Sequence, residues 1–322
     1  MSNSRNRVTN TEAKGCSDGE LAVADRAASA RQASVRTPAE TMMKRETKVT
    51  HAAVPHTLCG SPLAEMSWHI LGDEFLLRAE GDYFFHYRKG AGITVERDPS
   101  ADWSEESLWL NGSVHAAVAS MNGLLPIHAS AVAVNGSVFA FTGPPGAGKS
   151  TLVAALGDRG LPMFCDDTLV LDLSDPDRIT CLPGHKRLKL SARALELTGA
   201  KREEKVSLTV EKFYALPASG DVGRALPLAE LIFLSENKKT AIRPIRGAER
   251  MVRMQDDHQT ALLFAEARRL SRTEHFSHLA RLARQIRMSM FTRPRDEARF
   301  GEGVEVAVRH VSDETSRGQE PG

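Results

Sequence analysis

The residues with the clearest chemical potential stand at positions 143–151, which read GPPGAGKST. They match the Walker A pattern G-x-x-x-x-G-K-[ST], in which glycines let the backbone curl so that peptide N–H groups point at phosphate oxygens. In that pattern Lys149 reaches the β- and γ-phosphates and Ser150 binds Mg²⁺. The sequence therefore predicts an ATP and Mg²⁺ site made by Gly143, Pro144, Pro145, Gly146, Ala147, Gly148, Lys149, Ser150 and Thr151.

The segments on either side of this loop fit the setting that the pattern requires. Residues 137–141 (SVFAF) predict a strand, and residues 149–156 (KSTLVAAL) predict the start of a helix. The N-terminus of that helix adds its positive dipole to the phosphate site. The alternative interpretation is a glycine- and proline-rich turn with an incidental Lys-Ser pair, and the flanking strand and helix argue against it.

Two adjacent carboxylates, Asp166 and Asp167, follow the predicted helix and a short apolar segment. A right-handed crossover would place this second strand parallel to the first and near it. The carboxyl ends of parallel strands face one crevice, so we expect the pair opposite the phosphate loop. There one carboxylate could hold Mg²⁺ while the other accepts a proton from an attacking hydroxyl. A turn cap between two strands is the alternative interpretation.

A histidine, His128, stands upstream of the loop in an apolar segment. The Asn135-Gly136 pair between two apolar segments is a strong signal for a two-residue hairpin turn. Counting back from that turn places His128 opposite Gly143, the first residue of the loop. An imidazole at this point could bond a phosphate oxygen or the Asp pair, or stabilise transferred charge. A histidine satisfied within the core is the alternative.

A basic and apolar alternation, HKRLKL, occupies residues 185–190. One interpretation is a strand with one solvated face. The other is a basic rim that receives an acidic or phosphorylated substrate. The sequence leaves both open.

Composition and charge limit the kind of protein and its compartment. The net charge is +1 with 26% charged residues, so no bulk attraction to nucleic acid or to a membrane is expected. No apolar run is long enough to span a bilayer, and the N-terminus lacks the pattern of a secretion signal. The four cysteines have no metal-like spacing, which is typical of a reducing compartment and predicts a cytoplasmic protein: Cys16, Cys59, Cys165 and Cys181.

Changes in composition predict four regions. Residues 1–62 are polar and aperiodic, which predicts a disordered extension or an overlong start to the gene. Residues 63–124 predict a small β-rich lobe, with three short strands within 66–98 and an amphipathic helix at about 105–121. This meander and helix form either a separate lobe or the flank of one continuous sheet. Residues 125–296 predict the phosphate-loop domain, and residues 297–322 a terminal strand and a disordered tail.

The part of the chain beyond the Asp pair predicts further elements. Residues 226–245 predict a hairpin around positions 237–239. Residues 257–291 predict two helices with a break near 271–273. Residues 303–311 (GVEVAVRHV) predict the last strand.

In combination, these motifs resemble a known family. His128 before a hairpin, the 143–150 loop, and a helix followed at once by Asp166-Asp167 resemble the catalytic domain of bacterial HPr kinase/phosphorylase. They are still more similar to its serine-kinase relatives, some of which modify lasso peptide precursors. The close match covers about 125–173, with looser similarity over roughly 66–295. The resemblance implies an α/β fold with a P-loop kinase domain similar to that of phosphoenolpyruvate carboxykinase.

The resemblance also implies a role for each matching residue. Lys149 would contact the phosphates and Ser150 the Mg²⁺. Asp166 would be the catalytic base, Asp167 would assist at the metal, and His128 would belong to the catalytic cluster. The loop ends Lys-Ser-Thr where HPr kinases typically have Lys-Ser-Glu, and the family's later Glu-x-Arg-Gly stretch has no counterpart here.

The expected function is therefore transfer of the γ-phosphoryl group of ATP, with Mg²⁺, to a serine-like hydroxyl of a protein or peptide. The relatives assemble into multimers, so a homo-oligomer is implied as well. Two alternatives stay open at this point. One is a nucleotide hydrolase that uses water as acceptor, and the other is a non-catalytic partner protein that senses nucleotide.

Overall fold

The computed structural model describes residues 9–10, 39–98, 103–207, 209–219, 222–254 and 258–317. The chain divides into two compact units at residues 101/102. The helical segment that begins at Trp103 therefore belongs to the second unit, whereas the sequence placed the boundary at 124/125. No helix within the described ranges combines the length and the apolar character needed to cross a membrane.

The first unit is built on a six-stranded sheet with the order β1-β3-β4-β5-β6-β2. Strands β3 to β6 form an antiparallel meander, while β1 and β2 add to its two edges in parallel. The elements are β1 (Thr9–Asn10), α1 (Ala39–Glu46), β2 (Val49–His51), β3 (Ser67–Leu71), β4 (Glu74–Arg78), β5 (Phe84–Arg88) and β6 (Gly92–Glu96).

Helix α1 is fixed to this sheet by a buried carboxylate. Glu46 accepts hydrogen bonds from the Tyr87 hydroxyl at 2.7 Å and from the Gly90 amide at 2.8 Å. The prediction of a disordered extension over 1–62 is therefore wrong from α1 onward, because residues 39–62 contain a helix and a strand. The rest of that prediction lies almost entirely outside the described residues. The meander forms a sheet of its own.

The second unit contains the helices α2 (Trp103–Trp109), α3 (His115–Met121), α4 (Lys149–Asp158), α5 (Ala192–Thr198), α6 (Ala248–Met254), α7 (His258–Ala267), α8 (Arg272–Gln285) and α9 (Phe300–Arg317). A kinked helical segment, Leu110–Val114, joins α2 to α3, and a 3-10 turn, Glu297–Arg299, precedes α9. The predicted break between two helices near 271–273 is confirmed, because Ser271 caps the start of α8 through a capping box with Glu274.

The strands of the second unit form a nine-stranded mixed sheet and a small three-stranded one. In the large sheet the order is β10-β8-β9-β16-β12-β11-β7, with β18 beside β16 and β17 beside β18; the small sheet has the order β13-β15-β14. The strands are β7 (Leu125–Ile127), β8 (Ala129–Val134), β9 (Ser137–Thr142), β10 (Met163–Cys165), β11 (Leu169–Asp172), β12 (Thr180–Leu182), β13 (Leu188–Leu190), β14 (Arg202–Lys205), β15 (Phe213–Ala215), β16 (Leu226–Glu236), β17 (Ala241–Pro244) and β18 (Arg287–Arg293).

Helices cover the large sheet on both faces, which gives the α/β class expected from the sequence. Apolar residues of α4, α5 and α9 pack in one cluster, and those of α6, α7 and α8 pack in another. Strand β10 pairs antiparallel with β8, which pairs antiparallel with β9. Strands β9 and β10 therefore run in the same direction with one strand between them, as the crossover argument predicted.

The hairpin around Asn135-Gly136 has the predicted register. Val134 pairs with Ser137, and Ala129 pairs with Thr142 at the other end. The residues just beyond this last pair are His128 and Gly143, so the histidine and the start of the phosphate loop lie side by side.

Two predicted elements are wrong in the C-terminal part. Residues 303–311 belong to helix α9, not to a strand, and the helix continues to Arg317 in place of a disordered tail. The segments flanking 237–239 are strands, but β17 pairs with β18, which lies between it and β16, so they do not form a hairpin. The cause for α9 is packing: Val304, Ala307 and Val311 are buried at helical spacing.

Candidate active site

The phosphate loop connects β9 to α4 and depends on glycine at its two ends. Gly143 has φ 142°, and a Cβ there would lie 2.9 Å from the carbonyl oxygen of Leu234. Gly148 caps α4 with φ 83° in the left-handed region. Only glycine adopts both conformations without a steric penalty, so both positions require glycine.

Lys149 is held inside this loop. The residue is 7% exposed, and its ammonium group donates to the carbonyl oxygens of Gly143 at 2.8 Å and Pro144 at 3.4 Å. An ammonium group forms stronger, charge-assisted bonds to phosphate oxygens than to neutral carbonyl oxygens.

Asp166 is the buried centre of the site, at 1% exposure. Its Oδ1 atom accepts hydrogen bonds from the hydroxyls of Ser130 at 2.5 Å and Ser150 at 2.8 Å. Its Oδ2 atom accepts from the amide of Lys189 at 3.0 Å. Three donors therefore fix this carboxylate, and one of them belongs to the phosphate loop.

Asp167 occupies the centre of a tight turn. The amide of Thr168 donates to the carbonyl oxygen of Asp166 at 2.9 Å, and Asp167 between them has φ 72°. This is the φ of a γ-turn, a rare and strained conformation for a residue with a side chain. Strain of this kind concentrates at functional sites, where the surrounding structure holds it in place.

Two basic side chains surround the Asp167 carboxylate. Lys189 donates to its Oδ2 atom at 2.8 Å, and His128 Nδ1 lies 3.4 Å from its Oδ1 atom. Burial by itself would raise the pKa of Asp167, but the charges of Lys189 and His128 outweigh burial and hold that pKa below its ordinary value. Burial would lower the pKa of Lys189, and the charge of Asp167 outweighs it and raises that pKa. The two groups therefore form an ion pair at neutral pH.

His128 is oriented by the backbone of the same turn. Its Nδ1 atom lies 2.8 Å from the carbonyl oxygen of Asp167. A carbonyl oxygen only accepts, so Nδ1 carries the hydrogen in this bond. The ring is about one third exposed, at 36%. The histidine is thus part of the Asp cluster, as its position beside the loop suggested.

The HKRLKL segment forms neither a solvated face nor a free basic rim. Lys186 donates to the backbone carbonyl oxygens of Phe164 and Val222. Arg187 forms ion pairs with Glu203 and Glu204. Lys189, on β13, points into the cluster and is 8% exposed.

Two members of the cluster, Lys189 and Ser130, are not among the site residues predicted from the sequence. The alternation of HKRLKL was compatible with a basic residue facing inward, but no local signal gave its partner 22 residues upstream. Ser130 lies on β8, two residues after His128 and therefore on the same face of that strand. The two-residue spacing from His128 is the signal in the sequence that could have indicated Ser130.

A kink between two helices lies against the cluster. Within Leu110–Val114, Gly112 departs from helical geometry with φ −107° and ψ −105°. A Cβ on Gly112 would lie 3.4 Å from Oδ2 of Asp167. Sharp kinks often occur at Gly-Ser pairs, and this one brings backbone without a side chain close to the carboxylate.

Tyr214 lies next to the cluster with an unusual hydroxyl. The residue is fully buried on β15, pairs in register with Lys189, and stacks under the Arg187 guanidinium at 4.0 Å. Its hydroxyl has no hydrogen-bond partner within the described part of the chain. Because an unpaired buried hydroxyl costs about 1–3 kcal/mol, we expect Tyr214→Phe to leave the free energy of unfolding unchanged or to raise it by about 1 kcal/mol.

Chemical denaturation checks this expectation, with Tyr87→Phe as the matched control. Tyr87 is as deeply buried but donates to Glu46 at 2.7 Å, so its loss should destabilise the protein by about 1–3 kcal/mol. A Tyr214→Phe variant as unstable as the Tyr87 variant would show that the Tyr214 hydroxyl has a partner.

The predicted site residues come together in one network. His128 contacts Asp167, Asp166 contacts Ser150, and the two aspartates are neighbours in the chain. Lys149 stands beside Ser150 at the start of α4. The remaining loop positions, from Pro145 to Thr151, lie in the segment that the pattern assigned to them.

The chain is similar to solved structures of other proteins. The chain is similar to the structure of the Hpr(Ser) kinase/phosphatase from Coxiella burnetii, with 13% sequence identity and a TM-score of 0.31. The match covers 58% of this chain and 97% of that one. No protein-family model and no curated protein matches the sequence.

Proposed function

We propose that this protein is a kinase that transfers the γ-phosphoryl group of ATP, with Mg²⁺, to a serine-like hydroxyl of a protein or peptide. The observation that carries the proposal is the hydrogen bond from Ser150 to Asp166, 2.8 Å long. It joins the phosphate loop directly to the aspartate pair. A loop that binds phosphate and a carboxylate pair that serves the reaction thus share one site.

The donor set fits Mg²⁺. This ion prefers hard oxygen ligands and is usually held by one or two carboxylates together with substrate phosphates and water. Ser150 and Asp166 offer a hydroxyl and a carboxylate oxygen within hydrogen-bond distance of each other. The described residues contain no cluster of three or more metal-binding side chains, which agrees with a metal that depends on the nucleotide for its other ligands. When bound, Mg²⁺ would neutralise charge on the phosphates.

The contacts favour exchanging the roles that the resemblance gave to the two aspartates. Asp166 is buried and bonded to the serine expected at the metal, so it suits the metal side. The Asp167 side chain is 28% exposed and lies beside the ring of His128, which is about one third exposed. A partly exposed carboxylate is more accessible to an acceptor hydroxyl than a buried one. We therefore assign Asp167 as the base.

The chemistry follows from these positions. The acceptor hydroxyl gives its proton to the Asp167 carboxylate as its oxygen bonds to the γ-phosphorus, and the bond to the β–γ bridging oxygen breaks to release ADP. Transition states of this type are loose, so positioning and charge neutralisation matter more than base strength. A carboxylate with a lowered pKa can therefore serve, because it is always ionised at neutral pH. Lys149 and His128 would hold the developing negative charge.

A transfer assay tests the proposal. The protein is incubated with γ-labelled ATP, Mg²⁺ and candidate peptides encoded by neighbouring genes. Transfer of label to a serine of a peptide supports the kinase. Release of phosphate without transfer indicates the hydrolase, and binding of ATP with neither indicates the nucleotide sensor.

The Asp166→Asn variant tests the metal side of the site. Loss of the carboxylate charge should raise the Mg²⁺ concentration needed for half-maximal transfer by about tenfold or more, since each 1.4 kcal/mol is a factor of ten. A Mg²⁺ titration at saturating ATP measures this shift. If the Mg²⁺ requirement is unchanged and the maximal rate is lower, Asp166 would be the base and Asp167 the Mg²⁺ ligand.

A further inference from the structure

Arg293 crosses the phosphate loop from a different part of the chain. It ends β18, and its Nη2 atom donates to the carbonyl oxygens of Ala147 at 3.0 Å and Gly148 at 3.2 Å. The packing is close, because a Cβ on Gly148 would lie 2.6 Å from the same Nη2 atom. Position 148 therefore requires glycine for two reasons: its backbone is left-handed, and a side chain there would collide with Arg293.

The geometry of the peptide bond gives this contact a consequence on the other side of the loop. In a trans peptide the C=O of one residue and the N–H of the next point in opposite directions. When Arg293 holds the carbonyls of Ala147 and Gly148, it therefore turns the N–H groups of Gly148 and Lys149 away from itself. In the Walker A pattern these are N–H groups that bind phosphate oxygens.

The charge of Arg293 is not balanced by a carboxylate in the described part of the chain. Its guanidinium lies 6.0 Å from the ring centre of Phe291 and 5.7 Å from that of Phe300. Burial is the influence that lowers its pKa, with no nearby acid to raise it. The positive end of α4 begins at Lys149 beside it. Two like charges close together make an anion in the loop more favourable.

We propose that Arg293 is the positioning residue that presets the phosphate loop for a nucleotide polyphosphate. The inference rests on the proposed function, since it assumes that the loop binds ATP. Arg293 acts through the backbone of Ala147 and Gly148 and does not touch the phosphates itself. Its contribution is therefore the same for every ligand that places phosphate in the loop.

Binding measurements on the full chain test the proposal. We expect Arg293→Gln to raise the dissociation constants of Mg-ATP, Mg-ADP and pyrophosphate by similar factors, about 10- to 100-fold. At saturating ATP the transfer rate should stay within about threefold of the wild type. Arg293→Lys keeps the positive charge but not the planar fork of the guanidinium group. Its dissociation constants should therefore lie between those of the wild type and those of Arg293→Gln. Titration calorimetry supplies the constants, and thermal unfolding without ligand shows that each variant is folded.

Arg295→Gln is the matched control. Arg295 lies two residues away, is 67% exposed, and pairs with Glu236 at 2.9 Å. Its removal should leave all three dissociation constants unchanged. If Arg293→Gln has the same three dissociation constants as Arg295→Gln, Arg293 has no part in binding. If only ATP is affected, Arg293 contacts the γ-phosphate and does not position the loop. A wild type that binds none of the three ligands would overturn the proposed function and this inference together.

Discussion

Asp167→Asn is expected to lower the rate of phosphoryl transfer at saturating ATP by about 10²- to 10⁴-fold, the range for loss of a general base. ATP binding should be little affected, because the structure shows no contact between the Asp167 carboxylate and the loop among the described residues. His128 should stay in place as well, since its shorter contact is to the Asp167 backbone at 2.8 Å. Single-turnover kinetics with labelled ATP measures the transfer step directly.

Asp172→Asn provides the control for this variant. Asp172 is the last residue of β11, and its Oδ1 atom accepts a hydrogen bond from the Ser174 amide at 2.9 Å. Its replacement should leave transfer at the wild-type rate. If Asp167→Asn also transferred phosphate at that rate, Asp167 would not be the base, and its strained turn would need another explanation.

Lys189→Met is expected to affect both stability and the pH dependence of transfer. Removing one partner of a buried ion pair costs about 3–5 kcal/mol, and the partial exposure of Asp167 reduces this to about 2–3 kcal/mol. The exposed pair of Lys205 and Glu211 is the control. Lys205→Met should change the free energy of unfolding by less than about 1 kcal/mol. Chemical denaturation at neutral pH compares the two.

The pKa shifts of this pair determine the pH range in which it stabilises the protein. The pKa of Asp167 is lowered on folding, so its contribution is fully present above the ordinary aspartate value of about 3.9 and is lost as pH falls through the folded value. The pKa of Lys189 is raised, so its contribution is present below about 10.4 and is lost as pH rises through the folded value. Stability from the pair is therefore flat around neutral pH.

Burial raises the pKa of Asp167, and the charge of Lys189 lowers it. Because Lys189→Met removes that charge, the pKa of Asp167 should rise. The loss of transfer activity on the acid side should then move to higher pH in Lys189→Met than in the wild type. A pH–rate profile shows this shift. Adding Asp167→Asn to Lys189→Met should recover part of the lost stability, because the uncompensated charge is gone. A double variant less stable than Lys189→Met would contradict the ion-pair account.

The parts of the site that the sequence predicted are those with local signals. The Asn135-Gly136 turn fixes the register of β8 and β9 within a few residues, and this alone places His128 beside Gly143. The phosphate loop carries its own pattern of glycines. Asp166 and Asp167 follow from the strand direction that a crossover connection requires.

The parts that the sequence did not predict depend on contacts between distant residues. Lys189 contacts Asp167, which lies 22 residues upstream, and Arg293 reaches the loop across 146 residues. Neither position differs in local pattern from other basic residues. Helix α9 shows the same limit, since GVEVAVRHV fits a strand by alternation but also buries Val304, Ala307 and Val311 at helical spacing.

The β8–β9 hairpin also has a consequence for the order in which the protein folds. The bond from Thr142 to His128 spans 14 residues, whereas the contact of Arg293 with Ala147 spans 146. Short loops close faster than long ones, and hairpins form within microseconds. We expect His128 and the loop to meet early during synthesis, while the loop reaches its final conformation only after β18 has left the ribosome.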